Sequence, residues 1–140
     1  MSVLDVEEPY IPIFYNFNGK LIKICYQSTS VQQFIHPQFS YLEVKQPKEK
    51  PDRVFHINSI NNQLHLFKNK LLLGSYNSAD YHLLQGKFAI ELICELTLTT
   101  ESDWLATFHA SAISNKSEAI MLIGESGSGK STLSTLLMNH

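Results

Sequence analysis

The sequence predicts an α/β protein whose N-terminal region is of the α+β type and β-rich, followed by a β-hairpin, a glycine-rich loop and a helix. Three observations lead to this prediction. Short segments rich in aromatic and β-branched residues alternate with Asn-rich turns up to about residue 77. The segment that follows has apolar residues at helical spacing. Near the C-terminus, a nearly all-apolar run leads directly into the string GESGSGKS.

Composition narrows the class of protein. The chain has 140 residues, of which 44% are hydrophobic and 17% charged, which is typical of a globular domain with a real core. The net charge of −2 disfavours a general nucleic-acid binder. The acidic N-terminus does not resemble a secretory signal, and no run of 18 apolar residues occurs, so we expect a cytoplasmic protein without a membrane span.

The first elements are predicted from turn residues and alternation. Residues 1–9 are expected to form an acidic tail. Asn18-Gly19 between two aromatic or β-branched segments predicts a hairpin with a type I′ turn. The segment SYLEVKQ, residues 40–46, is predicted to be a strand, and the two prolines of residues 47–52 predict a polar loop.

Three more strands are predicted at residues 53–59, 62–69 and 70–76, separated by Asn-rich turns. Ser78 is then predicted to cap a helix that runs to about Thr97. The apolar residues that would form its buried face are Leu84, Phe88, Ile90, Leu92, Ile93 and Leu96. Because apolar positions in FAIELICELTL also alternate, a buried strand is the alternative for this segment.

Two further strands, WLATFHASAIS and EAIMLIG, are predicted to be joined by a tight turn at Asn115-Lys116. The second strand is almost entirely apolar, which predicts burial on both of its faces. Leu133, Leu136 and Leu137 predict a helix that begins near Lys130. We therefore expect a mixed β/α region at residues 1–103 and the start of a second domain at residues 104–140.

The loop between this strand and this helix matches the pattern G-x-x-x-x-G-K-[ST] of phosphate-binding loops. Its glycines allow the backbone N–H groups to point inward around an anion, and the N-terminus of the following helix adds a positive dipole end. The lysine is expected to contact the β- and γ-phosphates, and the serine after it to contact Mg²⁺. The predicted ATP-binding residues are Gly124, Glu125, Ser126, Gly127, Ser128, Gly129, Lys130, Ser131 and Thr132, with Ser131 as the metal ligand and Glu125 facing solvent.

The loop by itself does not determine a reaction. Phosphoryl transfer also needs an acidic second ligand for Mg²⁺ and a residue that activates the acceptor, and both commonly follow the loop helix. Only nine residues follow Ser131. The sequence therefore leads us to expect the N-terminal part of a longer protein, with the 140-residue chain catalytically silent.

The segment FHASAISNKSEAIMLIGESGSGKSTLSTLLMNH resembles the start of the catalytic domain of HPr kinase/phosphorylase relatives, whose fold is shared with phosphoenolpyruvate carboxykinase. His109 matches the histidine that opens a strand in that family, 124 − 109 = 15 residues before the first loop glycine. The resemblance covers about a quarter of the chain. It implies an ATP- and Mg²⁺-dependent phosphotransferase in which Lys130 and His109 are catalytic, and it suggests a homo-oligomer.

The chain also departs from that family. Thr132 stands where HPr kinases usually carry a glutamate, and the region before residue 104 does not read as their N-terminal domain. The acceptor therefore stays open between a protein serine, a peptide and a small-molecule hydroxyl. His109 has two readings as well: a residue of the phosphate site, or a strand histidine bonded to a backbone carbonyl.

Two other interpretations of the loop remain. An ABC-type or other P-loop ATPase would place a stacking aromatic residue upstream, for which Tyr76, Tyr81 and Trp104 are candidates. The third interpretation is a nucleotide-binding module without catalysis.

The remaining histidines and the two cysteines are expected to be structural. No pair of histidines has metal-ligand spacing, and Cys25 and Cys94 lie in apolar surroundings typical of buried reduced thiols. The scattered histidines are His36, His56, His65 and His82.

Overall fold

The computed structural model describes residues 10–106, 108 and 110–138. The chain divides into two compact units, one that ends at Glu101 and one that begins at Ser102. Both contain strands and helices, so the protein is of a general α+β class. No helix within the described residues is long and apolar enough to cross a membrane.

The first unit contains a five-stranded sheet in which the strands follow one another in chain order. Strands β2 and β3 are parallel, and the other neighbouring pairs are antiparallel. All five predicted strands of this sheet are confirmed: β1 Ile11–Phe17, β2 Lys20–Tyr26, β3 Arg53–Ile60, β4 Gln63–Lys68 and β5 Leu71–Asn77.

Three two-residue turns join the antiparallel strands, and each has positive φ at both central residues. Asn18 and Gly19 have φ of 50° and 90°, which confirms the predicted turn, and the amide of Gly19 donates to Asn16 Oδ1 at 2.7 Å. Two other pairs, Asn61-Asn62 and Asn69-Lys70, adopt the same left-handed backbone. This geometry matches the right-handed twist of the strands, which explains why asparagine recurs at these positions.

The segment predicted as a strand at residues 40–46 is mostly not one. Two short helices, α1 Thr29–Gln32 and α2 His36–Phe39, lead into a 3₁₀ turn at Ser40–Leu42. Proline in the first turn of α2 favours a helix start there. Only Glu43 forms a β-bridge, with Tyr15, while the amide of Val44 donates to Phe14 O at 2.8 Å.

Helix α3, Tyr81–Thr97, confirms the helical interpretation of its segment and excludes the strand alternative. The predicted cap at Ser78 is wrong. Ser78 begins a 3₁₀ turn, its hydroxyl donates to Asn62 O at 2.8 Å, and Asn77 Oδ1 instead accepts from the amide of Ala79 at 2.9 Å. The hydroxyl of Ser78 is thus bonded to the β3–β4 turn rather than to α3.

The core of the first unit lies between α3 and one face of the sheet. Leu84, Phe88 and Leu92 of α3 are buried there, and the Phe88 ring meets the Phe55 ring edge-on with centroids 5.2 Å apart. Burying a side chain of this size stabilises a fold by about 1.5–3 kcal/mol. Lys68 of β4 adds ion pairs at the edge of this contact, 2.6 Å from Glu91 of α3.

Tyrosine hydroxyls satisfy one another within this core. Tyr15 and Tyr26 are fully buried and their hydroxyl oxygens are 2.9 Å apart, while Tyr15 also lies 2.9 Å from His36 Nδ1. Burial raises the pKa of Tyr15 to about 12, so its hydroxyl stays neutral. Cys25 is buried as expected, whereas Cys94 is half-buried, and both thiols are free.

The second unit contains a hairpin of β6 Ala110–Ser114 and β7 Ala119–Ile123, followed by α4 Lys130–Met138. The predicted hairpin and helix are confirmed. The turn spans residues 115–118, with the amide of Asn115 donating to Glu118 O at 3.0 Å. The predicted start of β6 near residue 104 is wrong, since the strand begins at Ala110.

Burial of β7 on both faces is not found. Ile120 and Ile123 are each 62% exposed, and Met121 is 55% exposed. In the part of the chain that the structure describes, β7 pairs with β6 alone. Strand β7 thus has the apolar composition of a central strand but lies at a sheet edge, where its side chains have few neighbours to contact.

Candidate phosphate-binding site

The glycine-rich loop connects the end of β7 at Ile123 to the start of α4 at Lys130. Gly127 and Gly129 each have φ of +82°, a left-handed conformation that residues with a Cβ adopt only at a cost. The amide of Ser128 donates to Glu125 O at 3.2 Å, which closes a turn inside the loop. These two glycines therefore make the loop backbone possible.

Gly124 has a different constraint. A Cβ atom built on it would lie 2.8 Å from Ser128 Oγ, closer than non-bonded atoms approach. A side chain at position 124 would therefore require the Ser128 hydroxyl to rotate or the loop to shift.

The ammonium group of Lys130 lies within the loop. Lys130 Nζ donates to Gly124 O at 2.8 Å and to Glu125 O at 2.7 Å, and it lies 3.5 Å from Ser128 Oγ. The loop carbonyls therefore hold a positive charge beside the N-terminus of α4, whose partial charge has the same sign. Both charges favour an anion in front of the loop.

A cavity of about 370 Å³ opens at this position. Its walls come from the loop, from the first turn of α4 and from β6. The described lining residues are Ala110, Ser111, Ser126, Gly127, Gly129, Lys130, Ser131 and Thr132. Six of the nine residues predicted to bind ATP thus share one cavity.

The other three predicted residues lie elsewhere in the loop. Gly124 and Ser128 line a second depression of about 430 Å³, together with apolar residues of β7 and α4. Glu125 is exposed, as expected. Its carboxylate adds negative charge near the loop, while Lys130 contacts the backbone oxygen of Glu125.

Ser131 is the predicted metal ligand, and its side chain lines the same cavity as Lys130. Mg²⁺ bound through one protein hydroxyl takes its other ligands from phosphate oxygens and waters. Among the described residues, no three His, Cys, Asp or Glu side chains are grouped as metal ligands. The residues present thus fit a magnesium ion that arrives with a phosphate chain, with Ser131 as its contact to the protein.

Three of the residues predicted upstream for catalysis or stacking are His109, Tyr76 and Tyr81. His109 lies outside the described residues. Tyr76 packs against the core of the first unit, and the Tyr81 ring lies 5.3 Å from the Phe34 ring. Both tyrosines therefore have packing roles within the first unit.

Sequence reasoning missed Ser111. This residue lies on β6, opposite Leu122 of β7 in the hairpin register, and it lines the phosphate-loop cavity. Its place beside the loop depends on the pairing of β6 with β7 and on the packing of α4, so no local sequence pattern could have found it.

The scattered histidines lie on separate elements. His36 contacts Tyr15, and His65 Nδ1 lies 2.7 Å from Ser75 Oγ. His56 is buried, and its Nδ1 has no hydrogen-bond partner among the residues that the structure describes. Burial, with smaller contributions from the charges of Lys23 and Lys70, lowers the pKa of His56 below its usual value.

Comparisons with protein-family models, with curated proteins and with solved structures found no match to this chain. The assignment of function therefore depends on the geometry of the loop and on the chemistry of its residues.

Proposed function

We propose that the chain binds a nucleoside triphosphate, ATP, together with Mg²⁺ at the loop of residues 124–132, and that it belongs to a phosphotransferase acting on a hydroxyl acceptor. The observation that carries this proposal is the position of Lys130. Its ammonium lies inside a left-handed glycine loop, at the start of a nine-residue helix and on the wall of an open cavity.

Each part of the loop has a role in this proposal. The backbone amides of residues 126, 127 and 129 donate to phosphate oxygens, whereas the amide of Ser128 donates to Glu125 O. Lys130 compensates the charge of the phosphates. Ser131 contributes its hydroxyl to Mg²⁺. A terminal phosphate held in this way has its negative charge neutralised by the protein and the metal, which favours attack by an acceptor oxygen.

The phosphotransferase part of the proposal depends on the resemblance of residues 104–140 to HPr-kinase-like proteins. A hairpin immediately before the loop is a feature of that resemblance, and the β6–β7 hairpin agrees with it. His109 is proposed to act at the phosphate. The acceptor is proposed only as a class, a hydroxyl of a protein, peptide or small molecule.

Titration calorimetry of the chain with Mg-ATP tests nucleotide binding. We expect measurable binding by the unmodified chain and a loss of at least tenfold in affinity in Lys130→Ala, because no other cation within the described loop can replace the ammonium. Lys116→Ala is the matched control, because it removes an exposed lysine from the β6–β7 turn. Equal affinity in the unmodified chain and Lys130→Ala would contradict the proposal.

A further inference from the structure

The phosphate-loop cavity has a wall that the loop does not form. Of the eight described residues that line the cavity, six belong to residues 126–132 and two, Ala110 and Ser111, belong to β6. Ser111 is the one of these two with a polar side chain. Among the described β6 residues that line this cavity, Ser111 is therefore the one that can offer a hydroxyl donor.

The hairpin and α4 fix the position of Ser111. In the antiparallel register Ser111 lies opposite Leu122, and Ile113 lies opposite Ile120. Ile113 and Ile120 share a second cavity with Leu137 and Met138 of α4, so α4 lies along this face of the hairpin. Because alternate residues of a strand share a face, Ser111 is on the α4 side, nearer the start of the helix.

The direction of a bound phosphate chain determines which phosphate meets this wall. In loops of this kind the backbone amides cradle the α- and β-phosphates, whereas the lysine reaches the β- and γ-phosphates. The γ-phosphate is therefore the group least enclosed by the loop. In this cavity it would extend past Lys130 and Ser131 towards the wall formed by β6.

We infer that Ser111 is a positioning residue for the terminal phosphate, and that its hydroxyl donates a hydrogen bond to a γ-phosphate oxygen so that the site prefers a nucleoside triphosphate to a diphosphate. This inference rests on the proposed nucleotide-binding function. It adds a residue of β6 to the loop residues, and it assigns that residue a selective role, since a diphosphate has no oxygen at this position.

The test compares the affinities of the whole 140-residue chain for Mg-ATP and Mg-ADP by titration calorimetry. Ser111→Ala is expected to weaken ATP binding about tenfold to a hundredfold, the value of one hydrogen bond to a charged group, and to change ADP binding less than about twofold. Ser111→Thr keeps a hydroxyl on a β-branched side chain suited to a strand and should retain most of the preference for ATP. Ser114→Ala removes a hydroxyl of the same strand that does not line the phosphate-loop cavity, and it should bind both nucleotides normally.

The outcomes separate this inference from the proposed function. Unchanged ATP affinity in Ser111→Ala, with binding that still depends on Lys130, would overturn the role of Ser111 alone. An equal loss for ATP and ADP would also overturn it, because that result indicates a distorted loop instead of a lost γ-phosphate contact. An unmodified chain that binds neither nucleotide would overturn both proposals.

Discussion

At the scale of single residues, Lys130 makes its hydrogen bonds within its own loop. Two backbone carbonyls accept from its ammonium, at 2.7 and 2.8 Å. A phosphate that enters the cavity offers stronger, charged acceptors to the same group. Binding would therefore exchange some contacts between Lys130 and loop carbonyls for contacts with phosphate oxygens, so part of the phosphate affinity is offset by the carbonyl contacts that are lost.

Gly124 and Ser128 are predicted to be energetically coupled. In Gly124→Ala the new Cβ would lie 2.8 Å from Ser128 Oγ, so the serine must rotate or the loop must shift. We expect Gly124→Ala to lower the affinity for Mg-ATP about threefold to tenfold. Adding Ser128→Ala should restore most of that affinity, because the effects of substitutions at contacting residues commonly interact by about 0.5–3 kcal/mol. Titration of the two single variants and the double variant measures the coupling, and strictly additive losses would contradict it.

His56 is predicted to make stability depend on pH. Burial lowers the pKa of its imidazole in the folded chain, so the unfolded chain binds a proton more readily. The contribution of His56 to the free energy of unfolding is therefore fully present above the pKa of about 6.5 that it has in the unfolded chain. This contribution is lost as the pH falls from that value through the pKa in the folded chain, by about 1.4 kcal/mol for each unit by which the two pKa values differ.

Urea unfolding at a series of pH values between 8 and 5 checks this dependence. His56→Phe replaces the imidazole with a ring that does not titrate, and we expect a smaller loss of midpoint on acidification than in the unmodified chain. His82→Gln, which removes an exposed imidazole, is the control. The same loss in His56→Phe as in the unmodified chain would show that another group causes it.

At the scale of elements, α3 contains a glycine that its structure does not need. Gly86 is exposed in the middle of the helix, and a Cβ built on it meets no atom within 4 Å. Glycine in a helix interior costs about 1 kcal/mol relative to alanine because of the backbone entropy it loses on folding. We expect Gly86→Ala to raise the free energy of unfolding by about 0.5–1 kcal/mol.

Gly19 provides the opposite case. It has φ of +90° in the β1–β2 turn, so Gly19→Ala should lower the free energy of unfolding even though its Cβ also meets open space. Urea unfolding of the two variants, read by helix circular dichroism, measures both effects. Changes of the same sign in both variants would contradict the argument from backbone conformation.

At the scale of the whole molecule, the first unit has a hydrophobic core whose described buried residues all belong to that unit. Its buried members extend from Tyr15 to Leu92, and the unit ends at Glu101. The second unit by contrast exposes apolar residues on β7 and α4. We therefore expect cooperative unfolding of this protein to report mainly on the first unit.

A chain that stops at Glu101 tests this expectation. We predict that residues 1–101 unfold cooperatively in urea, with a free energy of unfolding in water within about 10–15% of that of the whole chain, the usual uncertainty of the extrapolation. Phe88→Ala in the same fragment should lower the free energy of unfolding by about 3–5 kcal/mol, because it opens a cavity between α3 and the sheet. A fragment that shows no cooperative transition would mean that the second unit stabilises the first.

The sequence by itself determined the elements whose signals are local. Asn-Gly and the two other pairs that begin with asparagine form the two-residue turns of the sheet, because few residues tolerate positive φ at two consecutive positions. Alternating or helical apolar spacing located the strands of the sheet and helix α3. The loop of residues 124–132 was also predicted, because its glycines and Lys130 act mainly on their own backbone.

Tertiary structure decided the features that depend on residues distant in sequence. Residues 40–46 had strand composition, yet only Glu43 found a β-partner, because a ladder requires a neighbouring strand in register. Ser78 bonded to Asn62 rather than capping α3, and the apolar β7 stayed largely exposed. Ser111 reached the phosphate-loop cavity because hairpin pairing and the packing of α4 bring β6 to the loop, and no local pattern contains that information.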